Sequence, residues 1–106
     1  MLPVCTTDEL PGPGEAIRVT VGEREIGIFN VDGVFCAVDD ICTHEHSSLS
    51  DEGWVDGDVV ECSFHGARFN LFTGAVLCWP ATEPLRTYTV SIQDGDVFLT
   101  GGGLDE

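Results

Sequence analysis

Two short cysteine–histidine pairs carry the chemistry of this chain: Cys42-Thr43-His44 and Cys62-Ser63-Phe64-His65, with seventeen residues (45–61) between them. Thiolate and imidazole are the side chains that hold transition metals. Residues two or three apart on a bent loop can turn toward one centre, so each pair is a two-ligand clip. Two cysteines and two histidines could close a tetrahedral zinc site. Zinc motifs, however, usually pair like ligands with like, and here each clip is mixed. Two mixed clips on separate loops suit a two-iron cluster in which one iron takes sulfur and the other nitrogen.

Such loops need rigid strands to hold them. Gly and Pro punctuate short β-rich runs at roughly ten-residue spacing, which predicts an all-β sandwich or barrel. Thr7 to Leu10 reads as one helical turn ended by Pro11-Gly12-Pro13-Gly14. Ala16 to Val21 alternates as a strand, turning at Gly22-Glu23 into Glu25 to Val31. Asp32-Gly33 is a hairpin signal leading into Val34 to Val38, which is apolar on both faces and therefore central. Thr87 to Gln93 turns at Asp94-Gly95 into Asp96 to Thr100, a further hairpin. Between the hairpins, residues 39–84 carry every candidate ligand and two short strands, Val59 to Cys62 and Arg68 to Leu71. The expected organisation is one domain: a base of residues 1–38 and 85–100, a small ligand-carrying subdomain over 39–84 inserted between its strands, and a flexible tail, 101–106.

Composition narrows the function. At 106 residues there is room for a single modest core. A hydrophobic fraction of 42% argues against disorder. The apolar stretch Val34 to Val38 is five residues, far short of a membrane span. The N-terminus has neither the basic start nor the apolar run of a secretory signal. Five cysteines, an odd number, argue against a disulfide framework and fit a reducing cytosol, so the expected location is cytoplasmic. Nineteen acids against four arginines and no lysine give a net charge of −15, which repels nucleic acid and anionic membranes. That acidity either keeps a small protein soluble or steers it toward basic patches on redox partners.

Cys-x-His, a gap of this length and Cys-x-x-His, extended by Gly66, resembles the Rieske signature. The run from about Thr6 to Thr100 resembles the Rieske-type ferredoxins of bacterial aromatic-ring dioxygenases. The resemblance implies a β base with an inserted cluster-binding subdomain. It implies one [2Fe–2S] cluster held by Cys42 and Cys62 on a buried inner iron and by His44 and His65 on an outer iron near solvent. The implied role is that of a soluble monomeric carrier, not an enzyme. It would pass single electrons from an NADH-dependent flavin ferredoxin reductase to the Rieske centre of a terminal oxygenase. The small subunit of a nitrite reductase shares the fold and is the runner-up reading; a zinc-binding interaction module is a third.

Other residues take their expected roles around that site. Leu49, Trp79, Pro80 and Pro84 stand where the family covers its cluster, and Gly66 would admit a close backbone approach. His46 is assigned to solvent, and Glu45, if turned inward, would lower the potential. Cys36 and Cys78 read as inert buried thiols, and Cys5 as incidental. Trp54 and Phe69 read as packing groups, and Arg68 and Arg86 as solvated or paired with acids. High-potential Rieske proteins add a disulfide between the two ligand loops, whereas the matching positions here are Ser47 and Phe64. Their serine and tyrosine donors correspond here to Ala67 and Phe69, which have no hydroxyl. The implied potential is therefore at the low end of the Rieske range, roughly −150 mV.

Overall fold

The fold follows from alternating apolar residues interrupted by tight turns. The computed structural model describes residues 3–42, 47–62, 66–79 and 83–104, with the Cys78 side chain also left aside. A six-stranded antiparallel sheet is built from β1 (Cys5–Thr6), β2 (Ala16–Val21), β3 (Arg24–Val31), β4 (Val34–Asp39), β9 (Thr87–Gln93) and β10 (Asp96–Thr100). Its spatial order is β1-β10-β9-β4-β3-β2. A second, four-stranded sheet runs in simple sequence order through β5 (Trp54–Asp56), β6 (Val59–Glu61), β7 (Arg68–Asn70) and β8 (Val76–Cys78). A 3-10 turn at Thr7–Glu9 and a single helical turn at Leu49–Glu52 complete the described elements. The all-β class expected from the sequence is the class observed, with a barrel-like larger sheet.

The hairpin turns work as their residue types demand. Asp32 and Gly33 have φ of 52° and 92°, and Asp94 and Gly95 have 53° and 84°. Two successive positive φ values match the right-handed strand twist of a two-residue hairpin, and Asp-Gly tolerates them. The central placement of β4 explains why its sequence is apolar on both faces. In β3 and β4, Phe29, Val31, Cys36 and Val38 face one packed cluster, while Ile26, Ile28 and Ala37 face another. The period-two alternation thus splits two strands between two cores. The first core joins the two sheets, because Val60, Ala67, Phe69 and Leu71 from the smaller sheet and its flanks pack into it.

Two glycines set the spacing between parts. Gly27 lies mid-strand in β3, where a Cβ would sit 2.8 Å from the Phe29 ring and 2.9 Å from an Asp40 carboxylate oxygen. Only a bare backbone leaves space for both. Gly74 has φ of 75°, and a Cβ there would sit 2.2 Å from the Leu85 carbonyl oxygen. Its own carbonyl accepts the Leu85 N–H at 2.9 Å, tying the β7–β8 turn to the chain entering β9.

One expectation is corrected, and the structure adds detail to two others. Trp54 is 72% exposed and is not a packing group. It starts β5, the edge strand of the smaller sheet, on the face turned to solvent. The glycine-rich segment after β10 is a turn over its described part: Leu104 N–H donates to the Gly101 carbonyl at 2.9 Å, and the Gly102 carbonyl accepts from Arg24. Leu104, half-buried, packs on the second core. Strands β5 and β8 are additional to those expected.

Candidate metal centre

Each cysteine of the two clips follows a β-paired residue and begins a loop whose neck is closed by the backbone. Cys42 N–H donates to the Ser47 carbonyl at 3.0 Å, and Cys62 N–H donates to the Ala67 carbonyl at 2.7 Å. In both cases the acceptor is five residues further on, since 47 − 42 and 67 − 62 are equal. The first neck is an isolated bridge pairing Ile41 with Ser48, while the second continues the β6–β7 ladder, where Glu61 opposes Arg68. The two loops are therefore mounted alike, on separate elements, as two-ligand clips require.

The first neck is anchored by a buried carboxylate. Asp40 is wholly buried and accepts from the Ser48 hydroxyl and, at 2.8 Å, from the Ser50 N–H. Its carbonyl accepts the Leu49 N–H at 2.7 Å. Ser48 also caps the helical turn, accepting the Asp51 N–H at 3.3 Å. An unpaired buried carboxylate would be costly, so these bonds hold Asp40 and, with it, the start of the loop.

Cys42 is 3% exposed and Cys62 1%, and both belong to the first hydrophobic core with Leu49, Val60, Ala67 and Phe69. Neither is in a disulfide. The Ser47 hydroxyl lies 3.3 Å from the Cys62 sulfur, and Ser47 is itself buried. Two buried thiols at the roots of two pinned loops, in an apolar setting, fit the sulfur side of an iron–sulfur cluster. His44, His65, His46 and Glu45 lie outside the described residues, as do Phe64 and Pro80.

Among the expected covering residues, Leu49 is buried beside both cysteines, whereas Trp79 is 79% exposed and Pro84 is exposed. Gly66 has φ of 74°, and among the described residues no atom lies within 4 Å of a Cβ built there. That φ is a left-handed backbone at the loop exit, which favours glycine. Cys36 is buried as expected, and burial, reinforced by Asp58, pushes its thiol pKa up, which suits an inert core residue. Burial, then Glu9, does the same for Cys5, which pairs with Val97 in β1. Arg68 pairs with Glu61 at 2.6 Å and Arg86 with Asp39 at 2.9 Å, as expected for cations among many acids. Ser47 is the residue the sequence reading missed: it figured there only as a missing disulfide cysteine, and its hydroxyl was not counted.

Residues 1–89 match the Rieske [2Fe-2S] domain, so the chain belongs to that iron–sulfur family. Its cofactor is accordingly a Rieske-type [2Fe–2S] cluster. The chain is 48% identical over 95 residues to the biphenyl dioxygenase ferredoxin subunit of Pseudomonas sp. (strain KKS102), covering 90% of this chain and 86% of the relative. A ferredoxin of Sphingomonas yanoikuyae B1 superposes at a TM-score of 0.83 with 36% identity, covering 92% and 95% of the two chains. A chain in the complex of reduced oxygenase and oxidized ferredoxin of carbazole 1,9a-dioxygenase superposes at 0.82 with 40% identity, covering 94% and 92%. No described helix is long and apolar enough to cross a membrane.

Proposed function

We propose that this chain is the ferredoxin component of an aromatic-ring dioxygenase system, carrying single electrons from a reductase to a terminal oxygenase. Support comes from the near full-length likeness to a dioxygenase ferredoxin subunit, combined with two buried cysteines at matching loop necks. In this reading Cys42 and Cys62 hold the inner iron as thiolates, and His44 and His65 hold the outer iron as neutral imidazoles. The cluster, when bound, supplies a site that takes up and returns one electron.

The chain's own residues do the rest. Leu49, Val60 and Phe69 keep water from the sulfur side, and Asp40 with the two necks fixes the cysteine positions. Docking is brief and small, as suits transient redox contacts. A net charge of −15 steers the carrier to basic patches on its partners. The reductase is a flavin enzyme drawing on NADH, the carrier works as a monomer, and its location is the cytoplasm. Residues 39–84 form the cluster-carrying unit on the base strands.

An electron paramagnetic resonance spectrum of the dithionite-reduced protein, with iron and sulfide assays, tests the centre. Equal iron and acid-labile sulfide and a mean g value below that of all-cysteine clusters are expected; a colourless zinc protein would end the proposal. The carrier role is tested by mixing the protein with a biphenyl dioxygenase oxygenase, its reductase and NADH. Product formation should depend on this chain and disappear with Cys62→Ala.

A further inference from the structure

Ser47 touches both clips. Its carbonyl accepts the Cys42 N–H at 3.0 Å, and its side-chain oxygen lies 3.3 Å from the Cys62 sulfur, fifteen residues along the chain. Both side chains are buried, Ser47 being 7% exposed and Cys62 1%, so water does not compete for the contact.

Between two neutral groups either atom could donate. A cysteine bound to iron is a thiolate with no proton, so its sulfur can only accept. The contact then has one polarity, serine O–H to sulfur. We propose that Ser47 is a tuning donor: its hydroxyl bonds to the Cys62 thiolate and raises the reduction potential of the centre. This rests on the reading that Cys62 is a cluster ligand.

The sign follows from charge. Adding an electron leaves more negative charge on the ligand sulfurs, so a fixed O–H dipole aimed at one of them stabilises the reduced form more than the oxidised form. The backbone half of the residue makes the dipole effective. Ser47 is held by its carbonyl bond to Cys42, and its neighbour Ser48 is held by Asp40, so the hydroxyl is placed by the neck. The donor is reached from the first loop, at the position where high-potential relatives carry a disulfide cysteine. It is distinct from the serine and tyrosine donors whose places are taken here by Ala67 and Phe69.

The test is a redox titration of the intact, cluster-loaded protein and of the variants Ser47→Ala, Ser47→Thr and Ser47→Val, each checked for iron, sulfide and paramagnetic resonance. Thr and Val have nearly the same shape and differ in the hydroxyl, so their comparison stands even if the alanine variant folds poorly. Removing the hydroxyl should lower the reduced-to-oxidised ratio at fixed potential about tenfold, a midpoint shift of ~59 mV downward for one electron. Thr should stay near the parent and Val should fall with Ala. Equal midpoints for Thr and Val would overturn the proposal. A Cys62→Ala control separates the premises: loss of the centre there with unmoved serine variants rejects the donor alone, while an intact centre rejects the ligand assignment and the donor together.

Discussion

The Tyr88 hydroxyl donates to Asp39 Oδ1 at 2.5 Å, linking β9 to the end of β4, one residue before the buried Asp40. Asp39 also accepts from Arg86 Nε at 2.9 Å, and the Asp39 N–H donates to the Arg86 carbonyl at 3.0 Å. With the Asp40 N–H bond to the Glu25 carbonyl at 2.9 Å, this pairing ties the chain to the base just before the first ligand loop. Burial, then the bond to Asp39, raises the Tyr88 phenol above its ordinary value of about 10. The fold therefore favours the neutral phenol. Its contribution is complete below about pH 10 and is lost as pH rises through the higher folded value.

Tyr88→Phe keeps the ring and removes the hydroxyl. It should cost about 1.5–3 kcal/mol at neutral pH, the range for a hydrogen bond to a charged group. Urea unfolding of both proteins at rising pH should show the gap narrowing above about pH 10, because only the parent loses stability there. Tyr88 is the only tyrosine, so the phenolate difference spectrum against the variant reads the same titration directly. A gap that widens with pH would contradict the bond.

Gly74→Ala should destabilise more than Gly57→Ala. Both positions have positive φ, 75° and 62°, so both pay for a left-handed backbone, about 1–2 kcal/mol. A Cβ at Gly57 meets nothing within 4 Å, whereas at Gly74 it would meet the Leu85 carbonyl at 2.2 Å. Chemical unfolding midpoints give the comparison. Equal losses would mean that the Gly74–Leu85 contact can open without cost.

The midpoint potential should be negative, near the low end of the Rieske range at roughly −150 mV. Ala67 and Phe69 are both wholly buried beside Cys62 and have no hydroxyl to donate. The Ser47 hydroxyl offsets this only in part. Optical redox titration measures it, and a positive midpoint would refute the argument from missing donors.

Electron delivery by the reductase should slow as salt rises from ~10 mM to ~0.15 M, where the screening length falls from ~30 Å to ~8 Å. The cause would be the charge of −15, with four cations against nineteen acids. At least two of those cations, Arg68 and Arg86, are already paired with Glu61 and Asp39. Stopped-flow rates across that range decide it. A flat profile would leave solubility as the use of the acidity.

Much of the base was legible because its signals are local. Ala16 to Val21 alternates and is β2 over that same span, and Asp32-Gly33 and Asp94-Gly95 turn where Asp-Gly should. The apolar run of β4 announced burial on both faces, and β4 sits between β3 and β9. What escaped depends on partners distant in sequence. Trp54 looks like a core residue until β5 is known to be an edge strand, and three residues carry no edge signal. Gly101 to Gly103 reads as loose until Tyr88 is known to lie against Gly102, where a Cβ would meet its ring at 2.4 Å. Ser47 reads as a polar loop residue until the first loop closes over a sulfur fifteen positions away. The ligand types and spacing needed no such knowledge, since they are written within a few residues of each other.

The matched necks at Cys42–Ser47 and Cys62–Ala67 also bear on maturation. Both are polypeptide bonds between an amide and a carbonyl, backed by Asp40 on one side and a strand ladder on the other. Small zinc domains are folded by their metal. Here the neck of each loop is closed by the chain's own backbone, so the cysteine end of each clip does not wait on the metal for its shape.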